Sequence, residues 1–248
     1  MNKTRIILGL DVSTATIGVC LMCCNGEETK ILELTHVSPK VSNKIVGIES
    51  LFLKKQIFVN ELLVNYKNYG ITDVVIEEPL MNSNNRFTVS TLLRFNGMIS
   101  DSVYNTLGLV PSYISSHDAR AYSFPELIAI RSFNKKNIKY PIKTIHKAIK
   151  NNELVLFGNY VWDIGKKDVI LDKVSEKFSD IKWLYNKKGE LKKENFDSSD
   201  AIACCLGYLN KTIHGEMNPT ITNVSEFDDK ILYEVKIWDK CFKHTIIK

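Results

Sequence analysis

Four acidic residues stand at positions where their carboxylates could act together on one substrate. Asp11 and Glu77 each follow an apolar run of the kind that forms a buried strand. Asp197 and Asp200 are three residues apart, so on a helix both side chains point the same way. A buried carboxylate is costly unless it finds a hydrogen-bond donor or a cation. The spacing therefore predicts an acidic site, provided that the fold brings the four residues together.

The chemistry that such a cluster favours is metal-dependent. Clustered carboxylates with little positive charge repel each other, and divalent cations that prefer oxygen ligands relieve the repulsion. We expect Mg²⁺ or Mn²⁺, with two ions in each active site. Two such ions can activate a water molecule and stabilise the leaving oxygen of a phosphodiester. Each residue taken alone also has a structural alternative, as a turn cap, a helix cap or an exposed carboxylate.

The elements that must position these residues follow an α/β order. The runs on either side of Asp11 predict two antiparallel strands joined by a tight turn. The order predicts a mixed sheet, with three antiparallel strands first and parallel strands afterwards. The remaining predicted elements are a strand at 30–37, a helix at 42–69, a strand at 71–76, a polar loop at 82–86, a helix at 88–107, a strand at 111–115, helices starting near 165 and 195, and a strand-like stretch at 230–238.

Length and composition are those of an ordinary globular protein. The chain has 248 residues, enough for one large α/β domain with an insertion. Hydrophobic residues make up 44% and charged residues 25%. No uninterrupted apolar run approaches the ~18 residues of a membrane span, and the pattern of a signal peptide is absent. We therefore expect a cytoplasmic protein that is neither secreted nor embedded in a membrane.

The six cysteines do not suggest a disulfide framework or a zinc site. They include the neighbouring pairs Cys23–Cys24 and Cys204–Cys205. Neighbours on a helix point about 100° apart, so the second pair could not easily face one metal ion. The expected role of these residues is that of small buried hydrophobes.

Positive charge is concentrated after the second acidic motif. The formal net charge is +5, a modest preference for polyanions. Residues 131–150 contain seven basic residues and no acidic one, with Phe133 and Tyr140 interleaved. Such a segment is typical of a nucleic-acid interface, because phosphate neutralisation supplies sequence-independent affinity. The alternative is the solvated face of a helix. The candidate DNA contacts here and after Glu77 are Arg86, Arg94, Arg120, Lys135, Lys136, Lys139 and Lys143.

The ordered acidic motifs resemble those of the RuvC family of Holliday junction resolvases, within the RNase H-like nuclease superfamily. The motifs are Leu-Gly-Leu-Asp ending at Asp11, Val-Val-Ile-Glu-Glu-Pro around Glu77, and Asp-Ser-Ser-Asp at 197–200. Gly-Lys-Lys-Asp-Val at 165–169 resembles the lysine-bearing segment of the family. The resemblance covers residues 4–120 and 164–209. Residues 77–80 and 91–97 are most similar to phage-encoded members, which implies a bacterial or phage-infected cell.

The resemblance implies an RNase H-like fold with helices on both faces of the sheet. It implies a structure-selective endodeoxyribonuclease that nicks branched DNA and resolves Holliday junctions in recombination and repair. It also implies a homodimer, which agrees with the two-fold symmetry of a four-way junction. The implied domains are a nuclease domain at 1–210, with a basic insertion at about 123–163, and an extension of unknown role at 211–248.

The resemblance also implies a role for each site residue. Asp11 would bridge both metal ions, Glu77 would bind one, and Asp197 and Asp200 would complete the set. Glu78 is the alternative to Glu77, and strand alternation allows only one of the two to face inward. The implied phosphate-contacting lysine is Lys166, with Lys167 as its alternative, and Arg120 is a weaker match to a second basic residue. His117 and Asp118 are further site candidates, although a surface role is favoured for both.

Other functions stay open. The protein could instead be an RNase H-like nuclease that acts on RNA–DNA hybrids, flaps or other branched DNA. The insertion at 123–163 is a departure from the compact resolvases and favours this alternative. A sugar-kinase-like or actin-like phosphotransferase can share the Leu-Gly-Leu-Asp strand, but it needs a later glycine-rich phosphate loop and a second domain that this sequence lacks. A non-catalytic DNA-binding scaffold is disfavoured because all four acidic positions are filled.

Overall fold

The computed structural model describes residues 4–79 and 85–248 and has a five-stranded sheet at its centre. The strand order is β3-β2-β1-β4-β5, with β1–β3 antiparallel and β4 and β5 parallel to β1. The predicted mixed α/β fold is therefore confirmed. Positions 82–84 of the predicted polar loop lie outside the described residues. The five strands are β1 (Arg5–Val12), β2 (Ile17–Asn25), β3 (Glu28–Val37), β4 (Asp73–Glu77) and β5 (Ser112–Ile114).

Helices cover both faces of this sheet, and two smaller sheets follow it. In the described ranges, no helix is both long and apolar enough to cross a membrane. The helices are α1 (Gly47–Glu61), α2 (Arg86–Leu107), α3 (Ser116–Ser123), α4 (Ile142–Lys150), α5 (Lys166–Lys177) and α6 (Glu194–His214). The smaller sheets pair β6 (Ile128–Ile130) with β7 (Leu154–Leu156), and β8 (Thr220–Glu226) with β9 (Lys230–Ile237) and β10 (Lys240–Ile247).

Alternation along the central strands separates two cores and selects the face of the site. Leu8 and Leu10 pack in the cluster that includes α1 and α2, whereas Ile7 packs in the cluster that includes α5 and α6. Since successive side chains of a strand point to opposite faces, Asp11 lies on the same face as Ile7. The same alternation in β4 places Glu77 on that face. Both carboxylates are therefore directed toward α6.

Two glycines allow α6 to lie directly on this face. A Cβ atom at Gly18 would lie 2.2 Å from the carbonyl oxygen of Asp197, and one at Gly9 would lie 2.5 Å from that of Ala201. Any larger side chain would push the helix away from the sheet. Gly18 also pairs directly with Asp11 in the β1–β2 ladder. The first turns of α6 are thereby held over the end of β1.

The predicted helix at 42–69 was wrong in its extent. Helix α1 is shorter, and a 3₁₀ segment at Leu63–Asn68 follows it. In α1, Ile48 and Phe52 are exposed, whereas Leu51 and Phe58 are buried. Apolar residues occur on two sides of this segment, so periodicity alone did not distinguish the faces.

The insertion and the C-terminal extension share one hydrophobic cluster. Ile130 and Ile145 pack with Tyr233 and Val235 of β9. The backbone N–H of Ile130 donates to the Tyr233 hydroxyl at 3.0 Å. The strand predicted at 230–238 corresponds to β9. We refer to residues 124–163 and 216–248 together as the accessory unit; the division of the chain at residue 210 stays a prediction.

The cysteines behave mainly as core residues. Cys20, Cys24, Cys204 and Cys205 are buried between the sheet and α6, as expected for small hydrophobes. All six cysteines are free thiols in the structure. Of the remaining two, Cys23 is half-buried and Cys241 is exposed. They therefore contribute packing and no disulfide constraint.

Candidate active site

Three of the four predicted carboxylates come together at the end of the central sheet where strands β1 and β4 finish. Asp11, Glu77 and Asp200 each offer a carboxylate oxygen, and these atoms all lie within 4.8 Å of one another. Asp11 is near the end of β1, Glu77 ends β4, and Asp200 lies in the second turn of α6. Only 2% of Asp200 is exposed. We call this group the acidic triad.

Strand register explains why the first two members meet. Strands β1 and β4 are parallel, and Leu10 pairs with Ile76. The next residues along the two strands are Asp11 and Glu77, so they leave the sheet side by side on the face that α6 covers. Glu78 lies beyond the strand and is exposed, and its backbone N–H donates to the carbonyl of Ile114. The structure thus places Glu77, and not Glu78, in the triad.

The fourth carboxylate, Asp197, lies at the rim of the triad. Lys167 connects it to the centre, because the Lys167 Nζ is 3.4 Å from an oxygen of Asp197 and 3.0 Å from one of Asp200. One quarter of the Asp197 side chain is exposed, at 25%. Its carboxylate is therefore closer to solvent than that of Asp200.

The triad carries excess negative charge. Burial raises the pKa of Asp11 well above its usual value, and repulsion from Glu77 and Asp200 raises it further. Burial and repulsion from Asp200 also raise the pKa of Glu77 to about 7. Burial raises the pKa of Asp197 too, against the opposing charge of Lys167. Protonation or a bound cation would relieve this repulsion.

Arg120 lies beside the acidic triad and is paired with Asp200. Its Nη2 and Nε donate to the same oxygen of Asp200 at 3.1 and 3.4 Å. Only 14% of its side chain is exposed. The prediction of Arg120 as a DNA contact stays a prediction. Helix α3 packs closely on α6, since a Cβ atom at Gly207 would lie 2.7 Å from the carbonyl oxygen of Ala119, and this packing directs the guanidinium to Asp200.

The lysine at the carboxylates is Lys167, whereas the motif favoured Lys166. Burial alone would lower the pKa of Lys167, but attraction to Asp200 and the other carboxylates raises it. The Nζ of Lys166 instead lies 6.0 Å from the centre of the Phe157 ring. Neighbouring residues on a helix point about 100° apart, so only one of the two can face the triad. Sequence alone left this choice open.

The other candidate residues lie outside the acidic triad. His117 and Asp118 form an exposed pair at 3.5 Å at the start of α3. The remaining candidate DNA contacts are exposed, either on α2 or in the segment that leads into and begins α4. They are Arg86, Arg94, Lys135, Lys136, Lys139 and Lys143.

Sequence reasoning missed two features that shape the site. The first is Gly18, whose signal is its position opposite Asp11 in a predicted hairpin. The second is the pairing of Arg120 with Asp200, for which a single sequence carries no signal because 80 residues separate the partners. The carboxylates themselves suit a divalent cation, since they are hard oxygen donors, lie close together and lack sufficient positive charge. The acidic triad could therefore hold a metal ion.

Comparisons with known proteins support the fold. No protein-family model and no curated protein matches the chain. The solved structure of T. thermophilus RuvC in complex with a Holliday junction substrate matches with a TM-score of 0.51 and 9% identity, covering 84% of this chain and 94% of that one. Another Thermus thermophilus RuvC structure has a TM-score of 0.49, 11% identity and coverage of 84% and 95%. An Aquifex aeolicus PPX-GPPA enzyme reaches only 0.36, with 7% identity. The chain thus has the RNase H-like mixed α/β fold of RuvC.

Proposed function

We propose that the protein is a metal-dependent endonuclease that nicks branched DNA and resolves four-way junctions. The observation that carries this proposal is the acidic triad, whose oxygens lie within 4.8 Å at the strand ends of a RuvC-like fold. The T. thermophilus RuvC structure with a Holliday junction substrate supports the choice of substrate. The similarity of residues 77–80 and 91–97 to phage-encoded members supports a role in a bacterial or phage-infected cytoplasm.

In this proposal, Asp11, Glu77 and Asp200 hold the cations, and Asp197 completes the set from the rim. Two divalent ions, Mg²⁺ or Mn²⁺, would supply an activated water and stabilise the leaving oxygen of the phosphodiester. The buried position of Asp200 keeps bulk water away from that side of the site. These residues therefore provide the negative charge and the low exposure that such chemistry needs.

The basic residues in and around the site have different roles. Arg120 donates two hydrogen bonds to one oxygen of Asp200 and so fixes the orientation of that carboxylate. Lys167 is about half exposed at 48%, so its ammonium can also approach a phosphate at the rim. Lys166 points to the neighbouring cleft, where we place it among the DNA contacts. The exposed basic residues Arg86, Arg94, Lys135, Lys136, Lys139 and Lys143 would contact the DNA backbone further away.

A homodimer would suit this substrate. Resolution of a junction requires two nicks on opposing strands, which two copies related by two-fold symmetry can deliver together. The dimer would place one acidic site on each of the two strands.

The test is a nicking assay on a synthetic four-way junction, compared with duplex, flap and RNA–DNA hybrid of matched sequence. We expect paired symmetric nicks on the junction with Mg²⁺ or Mn²⁺, none with EDTA, and none from Asp11→Asn. Asp101→Asn, an exposed residue of α2, is the matched control and should cleave like the wild type. Cleavage that survives EDTA or Asp11→Asn would contradict the metal mechanism. Preference for the hybrid or the flap would assign the other RNase H-like substrates.

A further inference from the structure

A cleft of about 620 Å³ lies between the nuclease fold and the accessory unit. Residues of α3 form one wall, β7 and the loop at 216–219 form the other, and Lys166 lies at the start of α5. Arg120 lines the cleft and also donates to Asp200. The cleft is therefore contiguous with the acidic triad.

Two cations in this cleft lack a carboxylate partner. The acidic residues of its lining, Asp118 and Glu216, lie 3.6 and 3.2 Å from the Nζ of Lys211, so both are directed to that ammonium. Within residues 4–79 and 85–248, no carboxylate lies within salt-bridge distance of Arg131 or Lys166. Uncompensated positive charge in a concave surface favours a polyanion.

Aromatic rings accompany these cations. The guanidinium carbon of Arg131 lies 3.8 Å from the centre of the Trp162 ring, and Trp162 remains 44% exposed. Arg131 and Lys166 also line an adjoining cavity of about 70 Å³, together with Phe133, Tyr160 and Trp162. Cations on the backbone and aromatic rings against the bases are the combination that binds single-stranded nucleic acid. Bases within a duplex are stacked on each other and offer no free face to a ring.

We propose that this cleft and the adjoining cavity together bind an unpaired DNA strand next to the phosphate that is cleaved. Arg131 and Lys166 contact the strand's phosphates, and Trp162 stacks on one base. The choice of DNA rests on the proposed function, whereas the preference for an unpaired strand rests on the arrangement of Arg131, Lys166 and Trp162. The accessory unit thereby gives the nuclease fold a strand-holding surface beside its acidic triad.

The experiment measures binding of a fluorescent single-stranded oligonucleotide of about 20 nucleotides, and of its duplex, by anisotropy in EDTA. The wild type should bind the single strand more tightly than the duplex. Trp162→Ala should weaken single-strand binding about tenfold, and Trp162→Phe should retain most of it because a ring remains. Arg131→Gln should weaken binding and reduce its salt dependence, while Arg131→Lys should preserve the salt dependence.

The matched control is Phe227→Ala, which removes an exposed ring at the β8–β9 turn and should leave binding unchanged. Melting temperatures of all variants test folding, and Trp162→Phe and Arg131→Lys keep the test usable if the larger changes unfold the protein. Equal binding by wild type and Trp162→Ala would overturn the inference, even if junction cleavage is observed. Trp162-dependent strand binding without cleavage of any branched DNA would instead overturn the proposed function and leave this site standing.

Discussion

The acidic triad and the interior of the accessory unit both bury polar side chains, but they balance them differently. The triad gathers three carboxylates, with Arg120 and Lys167 as the nearest cations. The accessory unit buries neutral groups that bond mainly to each other. Asn159 donates from Nδ2 to Nδ1 of His244 at 2.7 Å, and the Tyr233 ring stacks on His244 with centres 5.2 Å apart.

The contrast lies in how each region balances its buried polar groups. In the triad, burial and like charges raise the pKa of Asp11 and Glu77, so the ionised carboxylates destabilise the folded protein. In the accessory unit, two polar atoms, Nε2 of His244 and Nε1 of Trp238, are buried without a hydrogen-bond partner among the described residues. A proton or a bound cation would relieve the repulsion in the first arrangement, whereas the second fastens β9 and β10 to the insertion. The two regions should therefore respond oppositely to acid.

The largest effect is expected from Asp11→Asn. Loss of this carboxylate should reduce junction cleavage by more than roughly 10²-fold, because the charge that holds the cation is removed. The same change should raise the free energy of unfolding in EDTA by about 1 kcal/mol, since a repelling charge disappears. Nicking rates and urea denaturation measure the two effects. Destabilisation by Asp11→Asn in EDTA, relative to Asp101→Asn, would contradict the proposed repulsion.

The next effect is the pH dependence of the metal-free protein. The pKa of Glu77 rises from 4.5 to about 7 on folding, so between these values the folded state binds more protons than the unfolded state. The free energy of unfolding in EDTA should therefore fall as pH rises from 4.5 to 7, by roughly 3 kcal/mol for this group. Urea denaturation across this range measures it. Glu77→Gln should reduce that slope and leave the part that Asp11 contributes, since its pKa is also raised; an unchanged slope would assign it elsewhere.

A smaller effect of opposite sign is expected from the accessory unit. Burial lowers the pKa of His244 below its usual 6.5, so the folded state binds fewer protons than the unfolded state below that pH. The free energy of unfolding should therefore fall as pH drops below 6.5, and His244 should account for at most about 1.4 kcal/mol of this loss per pH unit. His244→Gln should abolish this loss, whereas His117→Gln, an exposed control, should retain it. Equal acid sensitivity of the wild type and His244→Gln would disprove the assignment.

The smallest effect separates the two adjacent lysines. Lys167→Gln should lower the free energy of unfolding in EDTA by about 1 kcal/mol, because Asp197 and Asp200 lose a partner that is half exposed and partly screened by solvent. Lys166→Gln should change it by less than about 0.5 kcal/mol. Thermal or urea unfolding of both variants measures the difference. Equal effects would show that Lys167 does not offset the charge of the triad.

Local sequence was sufficient for the sheet and for the acidic positions. Apolar runs that end in Asp11 and Glu77 identify buried strands and their exits, because a carboxylate ends an apolar pattern abruptly. The spacing of Asp197 and Asp200 indicates one helix face for the same local reason. Periodicity was weaker where apolar residues lie on two sides, and it made the predicted helix at 42–69 longer than α1.

Sequence by itself thus determined the order of the elements along the chain, the carboxylate positions and the resemblance that suggested a nuclease. Tertiary structure decided which side chains reach those carboxylates. The rotation of α5 selects Lys167, and the packing of α3 on α6 turns Arg120 to Asp200. It also joined the insertion and the C-terminal extension in one core, and so created the cleft that Arg131 and Lys166 line. Such contacts join residues far apart in the chain. They depend on helix rotation and packing, which no local sequence pattern encodes.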